Sequence, residues 1–282
     1  MKELKGKPVS DAIRAQIEQK MEGVSAMLGR RPRLAILRCG ENPADISYEK
    51  GAVKKLENFG MEASLCTFPE TISDSVFMRT FHQLNEDKNT DGILLMRPLP
   101  KQLNEGFVIS CMNAEKDVDG VSPVSAAAIY FGRDGFAPCT AQAVMEILHH
   151  YQIPIAGKHA VIIGRSAVVG KPLSMLLLKE NATVTICHSK TEGLAQVCHK
   201  ADILIAAVGR PRMVDASFVR KGAVVIDVGI NVDENGKLCG DVDYESCKSK
   251  THAMTPVPGG VGAVTTAVLC KHVMEAANRD LL

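Results

Sequence analysis

Apolar residues recur at helical spacing from about Val9 to Leu28, and the run "PRLAILRCG" that follows is short, apolar and closed by glycine, as a buried strand is. The alternation then repeats. "NPADISYEKGAVKKLENFG" reads as a helix stopping at Gly60, "EASLCTF" as a second strand, "SDSVFMRTFHQLNED" as a helix capped by Ser73, and "DGILLMRPLP" as a third strand ended by proline. Beyond the loop "AEKDVDGVSP", the helix "PCTAQAVMEILHHYQI", with Thr140 as its expected cap, opens a second series. Its strands are "KHAVIIG", "ATVTICHS", "DILIAAVG" and "AVVIDVGI", and its helices "GKPLSMLLLKEN" and "TEGLAQVCHKA". The closing stretch "GGVGAVTTAVLCKHVMEAANRDLL" is helical and apolar on one side, so it has to dock on other structure. Strands alternating with helices predict an α/β protein of parallel βαβ units, with functional loops at the carboxyl ends of the strands. Two domains are expected: 1–140, with the C-terminal helix 262–282 docking back on it, and 141–261.

Composition narrows the partners. The 33 Lys+Arg against 32 Asp+Glu leave a formal charge of +1, so no broad field exists to hold a polyanion, and nucleic acid is not expected. The amino terminus is amphipathic without an apolar leader region, and no apolar run approaches the roughly eighteen residues that span a bilayer. A soluble, unexported, cytoplasmic protein with no membrane partner is expected. The 9 cysteines are scattered and form no CxxC pair, which suits reduced thiols. Cys187–His188 and Cys198–His199 are adjacent, but neighbours on a helix point about 100° apart and no second pair lies at zinc spacing, so no metal site is expected.

Candidate chemistry begins at "VIIGRSAVVGKPL", which sets Gly164, Arg165, Ser166 and Gly170 between a buried strand and a helix. A dinucleotide fold places pyrophosphate there, because glycine lets the backbone come close and the helix amino terminus offers free N–H groups. The pattern is GxSxxxG rather than GxGxxG, and a turn of this kind also serves as a plain connection. An NAD-preferring fold ends its next strand near a carboxylate for the ribose 2′-OH. Here that strand ends in His188, Ser189 and Lys190, with Arg165 in the turn, and these donors favour a 2′-phosphate. NADP is therefore the expected cofactor; Glu192, close by, is the one feature pointing toward NAD.

"NPADISYEKGAVKK", "GILLMRPLP", "EKDVDGVSP", "PCTAQAV", "VIIGRSAVVGKPL", "VVIDVGIN", "GDVDYE" and "TPVPGGVGAVTTAVL" stand in an order and spacing that resembles the bifunctional methylenetetrahydrofolate dehydrogenase/cyclohydrolases, the FolD family, over essentially the whole chain. The resemblance implies two α/β domains flanking a cleft, the second a Rossmann-like NADP-binding domain with a mainly parallel sheet, in a homodimer that acts on a tetrahydrofolate derivative. It implies cofactor contacts at Gly164, Arg165, Ser166, Gly170, Ser189 and Ile230. Tyr48 stands where the family stacks a tyrosine on the folate rings, Asp119 where a carboxylate anchors the pterin, and Pro256, Pro258, Gly259 and Gly260 in the loop lining the folate pocket. Ala263 replaces the proline common there. The chemistry is coherent, since a pterin presents adjacent N–H donors and a carboxylate accepts both in a fork. Taken alone, Tyr48 reads as a half-buried packing residue and Asp117 and Asp119 as a solvated acidic turn.

Two reactions make different demands. Hydride transfer from the methylene carbon to nicotinamide needs orientation above all, whereas hydrolysis of the methenyl product needs water activated and a proton delivered. The family uses for the second a lysine four residues after the tyrosine, held by a glutamine in V-Q-L-P-L-P. This chain has Ala52 and Met96 at those positions. Lys50 and Lys54 lie about 200° and 240° around the helix from Tyr48, and Lys55 returns to its face only about 10 Å further along. Arg97 adjoins Met96, and strand alternation would turn it to the opposite face. The expectation is an NADP-dependent dehydrogenase with Tyr48 and Asp119 at its reacting centre and cyclohydrolase weak or lost. Retention of both activities through another base, and a noncatalytic folate or nucleotide sensor, are the alternatives.

Overall fold

The computed structural model describes residues 1–279, which fall into two compact units: Ala12–Cys139 with the chain from Thr266 onward, and Met1–Asp11 with Thr140–Thr265. The first unit is built on a three-stranded parallel sheet in the order Glu62–Phe68, Arg33–Cys39, Gly92–Leu95. Its central strand is apolar without alternation from Leu34 to Leu37, and these four residues are fully buried, as a strand covered on both faces requires. The helix Pro43–Asn58 starts where Asn42 accepts the Ala44 N–H at 2.9 Å and Pro43 presets the first turn. The helix Asp74–Glu86 packs Phe77 and Phe81 beside Leu37 and Ile93. Two short helices, Glu105–Ser110 and Pro123–Tyr130, lie in stretches whose apolar pattern is too brief to show a period.

The C-terminal helix runs Gly262–Arg279, and from Thr266 it belongs to this first unit, where His272 Nδ1 donates to the Val118 carbonyl at 2.8 Å. Asp280 to Leu282, included in the expected 262–282 helix, lie outside the described residues.

The second unit carries a six-stranded, wholly parallel sheet in the order Lys2–Glu3, Ala253–Met254, Val224–Asp227, Ile203–Ala206, His159–Ile163, Thr183–Cys187. The chain leaves His159–Ile163 for a neighbour on one side and then crosses to Ile203–Ala206 on the other. That reversal is the switch point at which doubly wound sheets open a crevice at the strands' carboxyl ends. The first eleven residues group here and not with the remainder of 1–140. Lys2 and Leu4 donate backbone N–H groups to His252 and Met254, each at 2.8 Å, a pairing that the polar "MKELK" does not announce. The helix Cys139–His150 begins one residue before Thr140, which therefore sits in its first turn and not at its cap. No described helix is long and apolar enough to cross a membrane.

Candidate active site

In the first unit Asp119 stands on a turn held by its neighbour. Asp117 is 0% exposed and its carboxylate accepts from Val121 N–H at 2.9 Å, Ser122 N–H at 2.8 Å and Ser125 Oγ at 2.6 Å. The expectation of two solvated acids fails for Asp117, because a carboxylate with three donors is stable when buried. Asp119 takes no part in that knot. Burial pushes its carboxyl up to about 6, opposed by hydrogen bonding from Cys139 and the charge of Arg97, and reinforced by Asp117. At neutral pH it is mostly an anion held in a poorly solvated place, ready to accept donors.

Tyr48 lies beside it. The residue is 38% exposed, yet burial first, and then the charge of Asp119, drives its pKa far up, so it stays a neutral O–H. One helical turn on, Ala52 is 1% exposed and shares the buried stripe with Leu56. Lys50 and Lys54 are exposed, and Lys55 sits over the Phe59 ring at 5.5 Å. Met96 is buried, and its N–H donates to Leu37 at 2.9 Å. The strand ends at Leu95, so alternation does not govern Arg97. Its guanidinium acts on Asp119 and lies 3.9 Å from Glu105, whose other oxygen accepts the Leu99 N–H at 2.8 Å. A regular strand stops before Arg97, and prolines at 98 and 100 cannot continue the ladder, so alternation does not decide which way Arg97 faces.

In the second unit the turn after Ile163 is closed tightly. Gly164 has φ +126° and lies against the Ala207 carbonyl, and Gly170 opens the helix Gly170–Lys179 with its Cα against Gly164. Neither place has room for a side chain, and the backbone is left bare above them. Ser166 Oγ accepts the Val169 N–H at 3.1 Å, which shapes the turn. A pocket of about 520 Å³ opens here at the ends of three strands, lined by Gly164, Arg165, His188, Ser189, Val208 and Arg210 among others. Two arginines and no carboxylate line it; Glu192 is exposed and outside the lining.

A second pocket of about 200 Å³ in the same unit is lined by Val228 to Ile230 and by Pro256 to Ala263. Ile230 thus shares a pocket with Pro256, Pro258, Gly259 and Gly260, and not with Gly164, Arg165 and Ser189.

Residues 4–119 match the tetrahydrofolate dehydrogenase/cyclohydrolase catalytic domain, and residues 138–281 match the NAD(P)-binding domain of the same description. The chain belongs to the tetrahydrofolate dehydrogenase/cyclohydrolase family. It is 51% identical over 274 residues to the bifunctional protein FolD of Clostridium kluyveri, covering 97% of this chain and 96% of that one. The crystal structure of bifunctional FolD from Campylobacter jejuni superposes with a TM-score of 0.96 at 36% identity, covering 99% of each chain. That of the Trypanosoma brucei dehydrogenase-cyclohydrolase, complexed with NADP cofactor and inhibitor, gives 0.92 at 31%, covering 98% of this chain and 97% of that one.

Within a family of dehydrogenase/cyclohydrolases, the Gly164 pocket falls in the NAD(P)-binding domain, and Tyr48 and Asp119 in the catalytic one. The geometry adds residues that the motifs did not single out. Arg210 follows "DILIAAVG", and a signal was available, since loops at the carboxyl ends of parallel strands form the crevice. Cys139, whose thiol donates to Val118 O at 3.3 Å, is raised well above the ordinary thiol range, by burial first and then by Asp119. It is a neutral group beside the carboxylate, not a nucleophile.

Proposed function

We propose that the protein oxidises 5,10-methylenetetrahydrofolate to the 5,10-methenyl form with NADP in one-carbon metabolism, and that hydrolysis onward to 10-formyltetrahydrofolate is weak or lost. The reading rests on one observation above the rest: beside Tyr48 and Asp119, the helix face that would present a base one turn on presents buried Ala52 instead. Bound NADP supplies the hydride acceptor, and the folate nitrogens share the cation that the departing hydride leaves. The protein's part is placement. Asp119 as a carboxylate accepts the pterin N–H groups, Tyr48 as a neutral phenol offers its ring to stack and its O–H to donate, and the Pro256–Gly260 loop walls the folate. Gly164, Ser166 and Gly170 bring backbone to the pyrophosphate, Arg165 and Ser189 meet the 2′-phosphate, and Ile230 packs on the cofactor.

A single assay of purified protein tests this, following NADPH formation and methenyl decay separately. NADPH should form with a methenyl product that persists. No NADP reduction with methylenetetrahydrofolate would favour the noncatalytic sensor instead.

NADP over NAD follows from a pocket lined by Arg165 and Arg210 with no acid. Arg165→Ala should cut the NADP preference by roughly tenfold, one charge-assisted contact to phosphate, and Arg165→Ala with Arg210→Ala further. An unchanged NADP/NAD ratio of kcat/KM in both variants would show that the 2′-phosphate binds elsewhere.

A second reading, that cyclohydrolase persists through another cation, is favoured by Arg97 acting on Asp119. Arg97→Leu distinguishes the two, because only on this second reading does methenyl hydrolysis fall with it.

A further inference from the structure

Beside the pockets of the second unit lies a pair of buried carboxylates, Asp227 and Asp241, to which neither reaction gives a role. Asp241 is 0% exposed, and its four acceptor positions are all taken. Oδ2 accepts from Val208 N–H at 2.6 Å and Gly209 N–H at 3.1 Å, and Oδ1 from Arg210 N–H at 2.8 Å and from the Asn231 side-chain amide at 2.9 Å. Asp227, at the end of its strand, accepts from Gly229 N–H at 3.0 Å, Asp241 N–H at 3.0 Å and Val242 N–H at 2.9 Å. Gly229 lies against the Asp241 carboxyl and Gly240 against that of Asp227, so no side chain fits at either.

The consequence lies in where the donors sit. Val208 and Arg210 line the pocket that holds Gly164, Arg165 and Ser189, while Gly229 and Ile230 line the one shared with Pro256–Gly262. The two loops follow neighbouring strands, Ile203–Ala206 and Val224–Asp227, whose register ends at Ala206 and Asp227 with Val228 N–H still donating to the Ala206 carbonyl at 2.9 Å. Further out Arg212 ties them as well, its N–H donating to the Gly240 carbonyl at 3.0 Å and its guanidinium to Asp233 at 2.9 Å, but neither of those bonds reaches the residues that line the two pockets. One oxygen of Asp241 takes a hydrogen bond from each loop.

We propose that Asp241 is a positioning residue for the dinucleotide: by bonding Arg210 and Asn231 at once it fixes the spacing of the two loops, and so keeps both pockets in register along one extended ligand. The inference rests on the reading of this unit as the NADP site. A carboxylate suits the task because it accepts from four donors without offering one, which neither water nor a neutral side chain of this size can do.

The test compares Asp241→Asn, Asn231→Ala and, as a control, Val219→Ala, which opens a cavity in the same unit's core without removing a hydrogen bond to Asp241. NADPH affinity is measured by direct titration, and NADP and folate KM, kcat and Tm are recorded for each. Asn231→Ala removes the bond that Asp241 takes from the second loop but leaves it three backbone donors and leaves the Arg212 ties in place, so it should fold. It should raise the NADPH Kd and the NADP KM by about 5- to 20-fold, with a smaller rise in folate KM because the second pocket also carries the folate loop, and Asp241→Asn should raise them further. Val219→Ala should lower Tm without touching NADPH affinity. Should Asp241→Asn not fold, Asn231→Ala decides. Unchanged Kd and KM for the dinucleotide in Asn231→Ala overturn the inference alone, as does a Val219→Ala protein that loses NADPH affinity equally. A wild-type chain that binds no NADPH overturns the functional reading as well.

Discussion

Asp119→Asn should weaken folate binding by about 1.5–3 kcal/mol, roughly 10- to 150-fold, and slow hydride transfer with it. The substitution keeps the size of the side chain but turns one acceptor of the fork into a donor, which then faces a pterin N–H. A pH arm makes the test specific. Burial raises the Asp119 carboxyl to about 6 in the free protein, while substrate binds to the ionised form, whose pKa it must therefore lower. Above about 6 the anion is already present and affinity is flat. Below it a proton must leave before the fork can form, and affinity falls by about tenfold per unit, while the Asn variant shows no such step. An Asn variant with wild-type folate affinity would return Asp119 to the rank of a turn residue.

Legibility in the sequence differed between the two units for physical reasons. The parallel strands are readable because burial on both faces leaves short runs such as "LAIL" and "AVVI" uninterrupted by polar residues. The Gly164–Gly170 turn was readable because backbone crowding excludes every other residue there. What stayed hidden depends on pairing at a distance. Lys2–Glu3 is a strand only because Ala253–Met254 offers it an edge, and "MKELK" carries no period of its own. In the sequence Asp117 looks like its near neighbour Asp119, and only the donors at Val121, Ser122 and Ser125 mark the first as the structural acid. The direction of Arg97 is not legible from alternation, because the strand stops at Leu95. The tie between Asp241 and Asn231 spans ten residues and a change of direction that no local pattern records.

The departure at Ala52 and Met96 carries the largest expected effect. If the missing pair supplied general acid–base catalysis, cyclohydrolase should stand about 10²–10⁴-fold below a complete site, with dehydrogenase largely spared and methenyltetrahydrofolate accumulating during turnover. Restoring it is constrained by packing. Ala52 is buried with Leu56 on the same helix face, so Ala52→Lys must bring a long ammonium out of a closed place, toward a group that already contains Arg97 and the raised Asp119. Little gain is expected from it alone, because the ammonium has no amide to hold it. Met96→Gln alone should give none, since a buried amide without a partner is a liability. Ala52→Lys with Met96→Gln should recover part of the hydrolysis, far beyond the sum of the single effects, as groups acting as a unit do. Adding Arg97→Leu should help further by removing a like charge that competes for Asp119, and the same substitution in the parent should leave hydrolysis as low as before. A parent that hydrolyses methenyltetrahydrofolate about as fast as it forms it would sink this account. If Arg97→Leu then abolished that hydrolysis, the guanidinium beside Asp119 would be the group that replaced the lysine.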